Sequence, residues 1–298
     1  MNRREFLQWA GATGLGLAWG EGAEAAPAPT AGFPDLAIAK GRSPEAITRA
    51  AVEALGGMGR FISRGDIVVV KPNIGWDRVP EQAANTNPDV VRTLVEMAYN
   101  AGARQVKVFD NTCNDPRRCY VRSGIQKAVE AVEGRVSFMD PRKFKEVTIP
   151  GQVLKRWPLY TEILEADKII NVPIAKHHSL TRLTLAMKNW FGAIGGSRDR
   201  LHQQADQAIA DLALVFKPAL TVLDAYRVLV ANGPQGGNLA DVRSSQTVVV
   251  GIDQVAVDAY GATLFGLKGS DLGYLLKATE RSLGQWDLSK LKLKKVEL

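Results

Sequence analysis

The chain has 298 residues, 46% of them hydrophobic and 23% charged, with a formal net charge of +7 at pH 7. This is the balance of a globular protein, and it excludes a disordered chain or a bundle of membrane spans. The basic residues are scattered apart from the run Lys290 to Lys295, and no basic patch is interleaved with aromatic platforms. The charge therefore favours an anionic partner, whether a phosphorylated or carboxylate ligand, an acidic protein or a membrane surface, and not nucleic acid.

The chain opens with a twin-arginine pair, Arg3-Arg4, in Asn2-Arg3-Arg4-Glu5-Phe6-Leu7. A weakly apolar run from Trp9 to Trp19 follows, then the small-x-small site Ala23-Glu24-Ala25 and the spacer Pro27-Ala28-Pro29. This is the layout of a twin-arginine export signal. The apolar run is about half the ~20 residues a membrane span needs. The expectation is a signal over residues 1–26, a linker over 27–33 and one α/β domain over 34–298. The twin-arginine translocase is then a partner, the location is periplasmic, and no stable span remains after cleavage.

Beyond the linker, strand and helix patterns alternate. Leu36 to Ala39 predicts a short strand, and Ser43 caps a helix over Pro44 to Met58. Asp66 to Lys71 is a buried strand. Asn87 caps a helix that begins at Pro88, runs through Val90, Leu94, Met97 and Ala98, and stops at Gly102. Gln105 to Phe109 is a strand ending at Asp110, and Gly124 to Val132 is helical. Lys168 to Val172 is another buried strand. The spacing over Leu180 to Phe191 predicts a helix, as it does over Gln203 to Val215. Strands are expected at Ala219 to Leu223 and Thr247 to Gly251, and helices at Val255 to Phe265 and Asp271 to Thr279. Such alternation predicts an α/β fold, with a mainly parallel, doubly wound sheet and helices on both faces.

Doubly wound sheets bind ligands outside the carboxyl ends of their strands. Those ends carry Lys71-Pro72-Asn73, Asp110-Asn111-Thr112-Cys113, Lys176-His177-His178 and Asp224, and the loop beyond Asp224 brings Gly233 and Gly236. All three histidines, His177, His178 and His202, fall within one short stretch that also holds Lys188-Asn189. Imidazole is a metal ligand or proton carrier, and a nearby Lys or Asn can hold an oxyanion. The two cysteines, Cys113 and Cys119, are six positions apart, and in an oxidising compartment they are expected to close a disulfide. Free thiols and a metal or redox role are the other readings.

The ordered series Lys71-Pro72-Asn73, Thr86-Asn87-Pro88-Asp89-Val90-Val91, Ala166 to Pro173, Lys176-His177-His178, Lys188-Asn189-Trp190-Phe191-Gly192, His202, Asp224, Gly233-Pro234 and Asp253 to Asp258 resembles the family called domain of unknown function 362. The resemblance runs from about residue 34 to 265 and implies an α/β fold. Many relatives are described as iron–sulfur proteins because they carry added four-cysteine segments. This chain has only two cysteines, so an iron–sulfur cluster is not expected on it alone.

No Gly-x-Ser-x-Gly, paired-carboxylate or phosphate-loop signature is present. Of the two functional readings, the first is an exported enzyme or cofactor-dependent protein with a site at the carboxyl edge. His177, Lys188, Lys176 and Asp110 are its expected catalytic groups. Lys71, Asn73, Asn189, Gly233 and Gly236 are its expected anchors for an anionic ligand or cofactor. His177, His178 and His202 are its candidate metal ligands. The second reading is a non-catalytic binding or maturation factor for a cofactor, metal or redox partner protein.

Overall fold

The structure is a computed structural model and describes residues 32–298. The twin-arginine motif and the cleavage site lie outside the described residues. The first half contains β1 (Leu36–Lys40), α1 (Pro44–Ala54), β2 (Ile67–Pro72), α2 (Pro88–Asn100), β3 (Gln105–Val108), α3 (Pro116–Arg122), α4 (Ile125–Glu130) and β4 (Arg135–Val136). A hairpin, β5 (Phe144–Thr148) and β6 (Arg156–Tyr160), leads into the single turn α5 (Thr161–Leu164). Then come β7 (Lys168–Val172), β8 (Ile174–His178), β9 (Arg182–Thr184), α6 (Ala205–Ala213) and β10 (Leu220–Leu229). The chain finishes with β11 (Val242–Gly251), α7 (Gln254–Thr263), α8 (Gly273–Glu280) and β12 (Leu293–Glu297).

One sheet organises the molecule, in the order β12-β1-β11-β10-β7-β2-β3-β4. The pairs from β10 through β7, β2 and β3 to β4 are parallel, while β11 runs antiparallel to both β1 and β10. The sheet also takes in β8, parallel to β10, and β9, antiparallel to β8, so the expected mainly parallel sheet is present with two reversed strands, β11 and β9. Period-2 alternation splits its side chains between two cores. Val68 and Val70 pack with Ile47 and Val52 of α1, Leu94 of α2 and Val129 of α4. Val69 faces the other way, into a core with Ile209 of α6, Val257 of α7 and Leu275 of α8. Both faces are thus covered by helices, which is why the strands read as continuous apolar runs.

The caps follow their sequence signals. Ser43 Oγ accepts from Ala46 N at 3.1 Å, and Asn87 Oδ1 accepts from Asp89 N at 2.9 Å ahead of Pro88. Asp253 Oδ1 accepts from Val255 N at 2.7 Å to open α7.

One predicted element is corrected. Residues 180–191 do not form a helix: β8 and β9 make a hairpin, and a 3₁₀ segment covers Lys188–Ala193. The backbone groups a helix would use are claimed by distant side chains. His178 Nδ1 accepts from Leu180 N (3.1 Å) and Thr181 N (3.4 Å). The buried Asp258 carboxylate accepts from Ala186 N (2.6 Å) and Met187 N (3.0 Å), and Asn171 Nδ2 donates to Ala186 O (2.9 Å). These bonds hold the segment against the sheet in a form that local periodicity does not encode.

Candidate functional site

Strands β2, β3 and β7 are parallel neighbours, so their carboxyl ends meet at one edge. There the chain continues from β2 into Asn73, from β3 into Asp110 to Cys113, and from β7 into β8. The 3₁₀ segment from Lys188 closes over these ends. A cleft of about 530 Å³ lies between them, walled by Asn73, Asp110, Cys113, Lys176, His178, Lys188, Asn189, Arg198 and His202 among others.

Beneath it, Lys71 is fully buried and donates from Nζ to Asp110 Oδ1 at 2.7 Å and to Pro72 O at 2.9 Å. Asp110 Oδ2 accepts from Ile74 N at 2.6 Å, and the Tyr120 hydroxyl holds the Asp110 main chain. Burial pulls the Lys71 ammonium below its usual range, against the opposing pull of Asp110. A Cβ at Gly192 would fall onto Asp110 Oδ1 and crowd Lys71 Nζ, so glycine there is a condition for the pair. Lys71 and Asp110 are therefore a buried ion pair at the cleft floor.

A ladder of amides then fixes the second lysine. Lys176 Nζ donates to Asn73 Oδ1 (3.0 Å) and Ala84 O (2.6 Å). Asn73 Nδ2 donates to Asn189 Oδ1 (3.1 Å), and Asn189 Nδ2 donates to Asn171 Oδ1 (2.9 Å) and Lys71 O (3.2 Å). Burial, opposed mainly by Cys113, brings Lys176 down to about 7.

Lys188 is different. It is 6% exposed, lines the cleft, and makes no hydrogen bond among the described residues. Its Nζ lies 3.5 Å from the centroid of the Phe191 ring. Burial lowers it to about 7, with Lys176 and Arg198 adding to the shift and Cys113 opposing it. Among the described residues, neither Lys176 nor Lys188 has an ion-pair partner.

The wall beside Lys188 is aromatic. The rings of His178 and His202 stack with centroids 5.4 Å apart, and Phe191 meets His202 edge-on at 5.5 Å. Two backbone N–H groups donate to His178 Nδ1, so the neutral ring carries its proton on Nε2. Burial and Lys188 push His178 down to about 3. His202 Nδ1 lies 3.1 Å from Asp199 O, which can only accept, so Nε2 holds the lone pair; that atom is buried and unpartnered among the described residues. Burial lowers His202 as well.

Several expectations need correction. His177 does not line the cleft. Strand alternation turns Lys176 and His178 toward it and His177 away, where its Nδ1 accepts from Gly233 N at 3.1 Å. The trio His177, His178 and His202 is therefore split, and no group of three His, Cys, Asp or Glu suited to a metal is found among the described residues. Gly233 and Gly236 are also outside the cleft wall. Gly233 is required because a Cβ would strike His177 O, and Gly236 because a Cβ would press on Leu229 at a φ of +54°. Finally, Cys113 and Cys119 are free thiols. Cys119 is buried on α3 with Sγ 3.8 Å from Gly75 O, and burial raises it to about 11. Cys113 is exposed in the cleft wall.

The structure brings together Asn73, Asp110, Lys176, His178, Lys188, Asn189 and His202 in the wall, with Lys71 beneath. Arg198 was missed. Its guanidinium donates to Asn111 O (2.8 Å), Phe191 O (3.1 Å) and Thr112 O (2.8 Å), tying the loops together. It opens the 3₁₀ segment Arg198–Gln204, with no spacing in the sequence that marks it.

The class these features define is an α/β protein with a cationic cleft at the carboxyl edge of a largely parallel sheet. The model of the family "Domain of unknown function (DUF362)" matches residues 68–263, and the chain belongs to that family. A thylakoid-associated protein of Synechocystis sp. is 26% identical over 202 residues, covering 65% of this chain and 62% of that relative. The lactate racemase apoprotein of Thermoanaerobacterium thermosaccharolyticum aligns with a TM-score of 0.42 and 12% identity, over 76% of this chain and 56% of that one.

Proposed function

We propose that this DUF362 protein binds a small anionic ligand, carrying phosphate or carboxylate, in the cleft over β2, β3 and β7. One observation carries the reading: Lys176 and Lys188 are buried side by side without an ion-pair partner among the described residues. Two such ammonium groups repel each other and have lost their hydration, and an anion relieves both costs. The Nε2–H of His178 is a further donor facing the same space. The orphaned Nε2 of His202 suits a ligand that also carries a hydroxyl or another proton donor.

The test is calorimetric titration of the protein with inorganic phosphate and with acetate, on the acid side of neutrality. At least one should bind saturably, and Lys188→Met should weaken it by about tenfold or more, the cost of removing one desolvated charge partner. Binding that is absent in the wild type, or undiminished in Lys188→Met, would reject the proposal. The site of action we propose is outside the cytoplasm, on the strength of Arg3-Arg4 and Ala23-Glu24-Ala25.

A further inference from the structure

We infer that Lys188 is a covalent site, whose amine forms an imine with the carbonyl group of an anionic aldehyde or keto acid held in the cleft. The inference deepens the anion-binding reading and rests on it. Three buried lysines meet here, and only one is free to react. Lys71 is tied to Asp110 and Pro72 O. Lys176 is held by Asn73 Oδ1 and Ala84 O. Lys188 is 6% exposed, faces the cleft, and has only the Phe191 ring beneath its Nζ among the described residues. An amine in an apolar setting beside another cation is populated in its neutral, nucleophilic form near neutrality. The lowering of Lys188 to about 7 by burial and by Lys176 agrees with that setting.

The chemistry balances without an oxidant or reductant. The Nζ lone pair attacks the carbonyl carbon and the C=O π pair moves to oxygen. Nitrogen loses a proton and oxygen gains one, giving a carbinolamine. A proton carried by His202 reaches the hydroxyl, the C–O bond breaks, water leaves, the nitrogen lone pair closes the C=N bond, and the iminium gives its N–H proton back to His202 Nε2. The sum is amine plus carbonyl to imine plus water. Both groups these steps need lie on the aromatic surface beside the amine. His202 Nε2, a buried acceptor unpartnered among the described residues, takes and returns the protons, while the Nε2–H of the neutral His178 hydrogen-bonds the carbonyl oxygen. The contacts run Lys188 to Phe191 to His202 to His178, which places the pair on one surface with the amine. The other cations, Lys176 and Arg198, are left to hold the substrate's anionic group.

The experiment incubates the full chain with glyoxylate and sodium cyanoborohydride, which reduces an imine to a stable amine, and maps the modified lysines by peptide mass spectrometry. Lys188 should be alkylated about tenfold or more faster than exposed lysines such as Lys290, and inorganic phosphate should protect it. In the Lys188→Arg variant the fast modification should disappear while exposed lysines such as Lys290 still react at the wild-type rate. Modification of Lys188 at the rate of Lys290, or preferential modification of Lys176, overturns the inference. If phosphate binds but Lys188 is not rapidly modified, the imine fails and the anion site stands. If neither phosphate nor acetate binds and Lys188 is not modified, both fail.

Discussion

Lys176 and Lys188 differ from ordinary surface lysines because their desolvation exceeds any local compensation. Both sit near about 7 instead of 10.5, so between those values the unfolded chain binds more protons than the folded one. Stability of the ligand-free protein should therefore rise from this source as pH increases from about 7 toward 10.5. Anion affinity should move the opposite way, falling as pH rises through about 7 and the ammonium groups discharge. Urea unfolding on both sides of neutrality, comparing wild type with Lys188→Met, isolates the effect from that of the buried Asp224 and Asp258. A wild-type minus variant difference that is flat with pH would contradict it. The pair below the cleft invites a separate test. Asp110→Asn leaves Lys71 buried without its carboxylate and should cost about 3–5 kcal/mol in urea unfolding, whereas removing both charges with Lys71→Met and Asp110→Asn should cost less. Residue identity at the strand ends was readable in the sequence: Lys71, Asn73, Asp110 and Lys176 each follow an apolar run. Which of them are paired was not, because Lys71 and Asp110 are 39 residues apart and meet only across β2 and β3.

At the scale of elements, β8 decides the site. Its alternation turns Lys176 and His178 inward and His177 outward, a consequence of strand geometry that a helical or loop reading of the same residues would miss. His177→Ala should therefore leave phosphate binding within about twofold, since its ring is outside the cleft wall and it removes only a bond to Gly233 N. His178→Ala should lower stability by about 1–3 kcal/mol, since the N–H groups of Leu180 and Thr181 lose their acceptor. A denaturant series with parallel phosphate titrations checks both, and equal effects on binding from the two variants would refute the assigned orientation. Helix starts were legible at Ser43, Asn87 and Asp253 because capping is local. The segment over residues 180–191 was not. Asp258 and Asn171, both remote in sequence, take the backbone groups that a helix would have used.

At the scale of the whole molecule, one sheet with helices on both faces gathers residues from positions 73 to 234 around one cleft. Export belongs to this scale too. Arg3-Arg4→Lys-Lys should trap the precursor in the cytoplasm, as followed by fractionation and immunoblot, and undiminished export of that variant would remove the proposal of a periplasmic site.

The sequence by itself determined the alternation of strands and helices, the caps, and the set of polar residues delivered to strand ends, because period, capping and strand-end chemistry are short-range properties. Only the tertiary structure decided that His177 faces away, that Cys119 is buried while Cys113 lines the cleft, and that Lys188 lacks a hydrogen-bonding partner among the described residues. Those outcomes depend on which side of a strand a side chain takes and on which distant groups claim its neighbours. Both are fixed by packing between segments that are far apart in the chain.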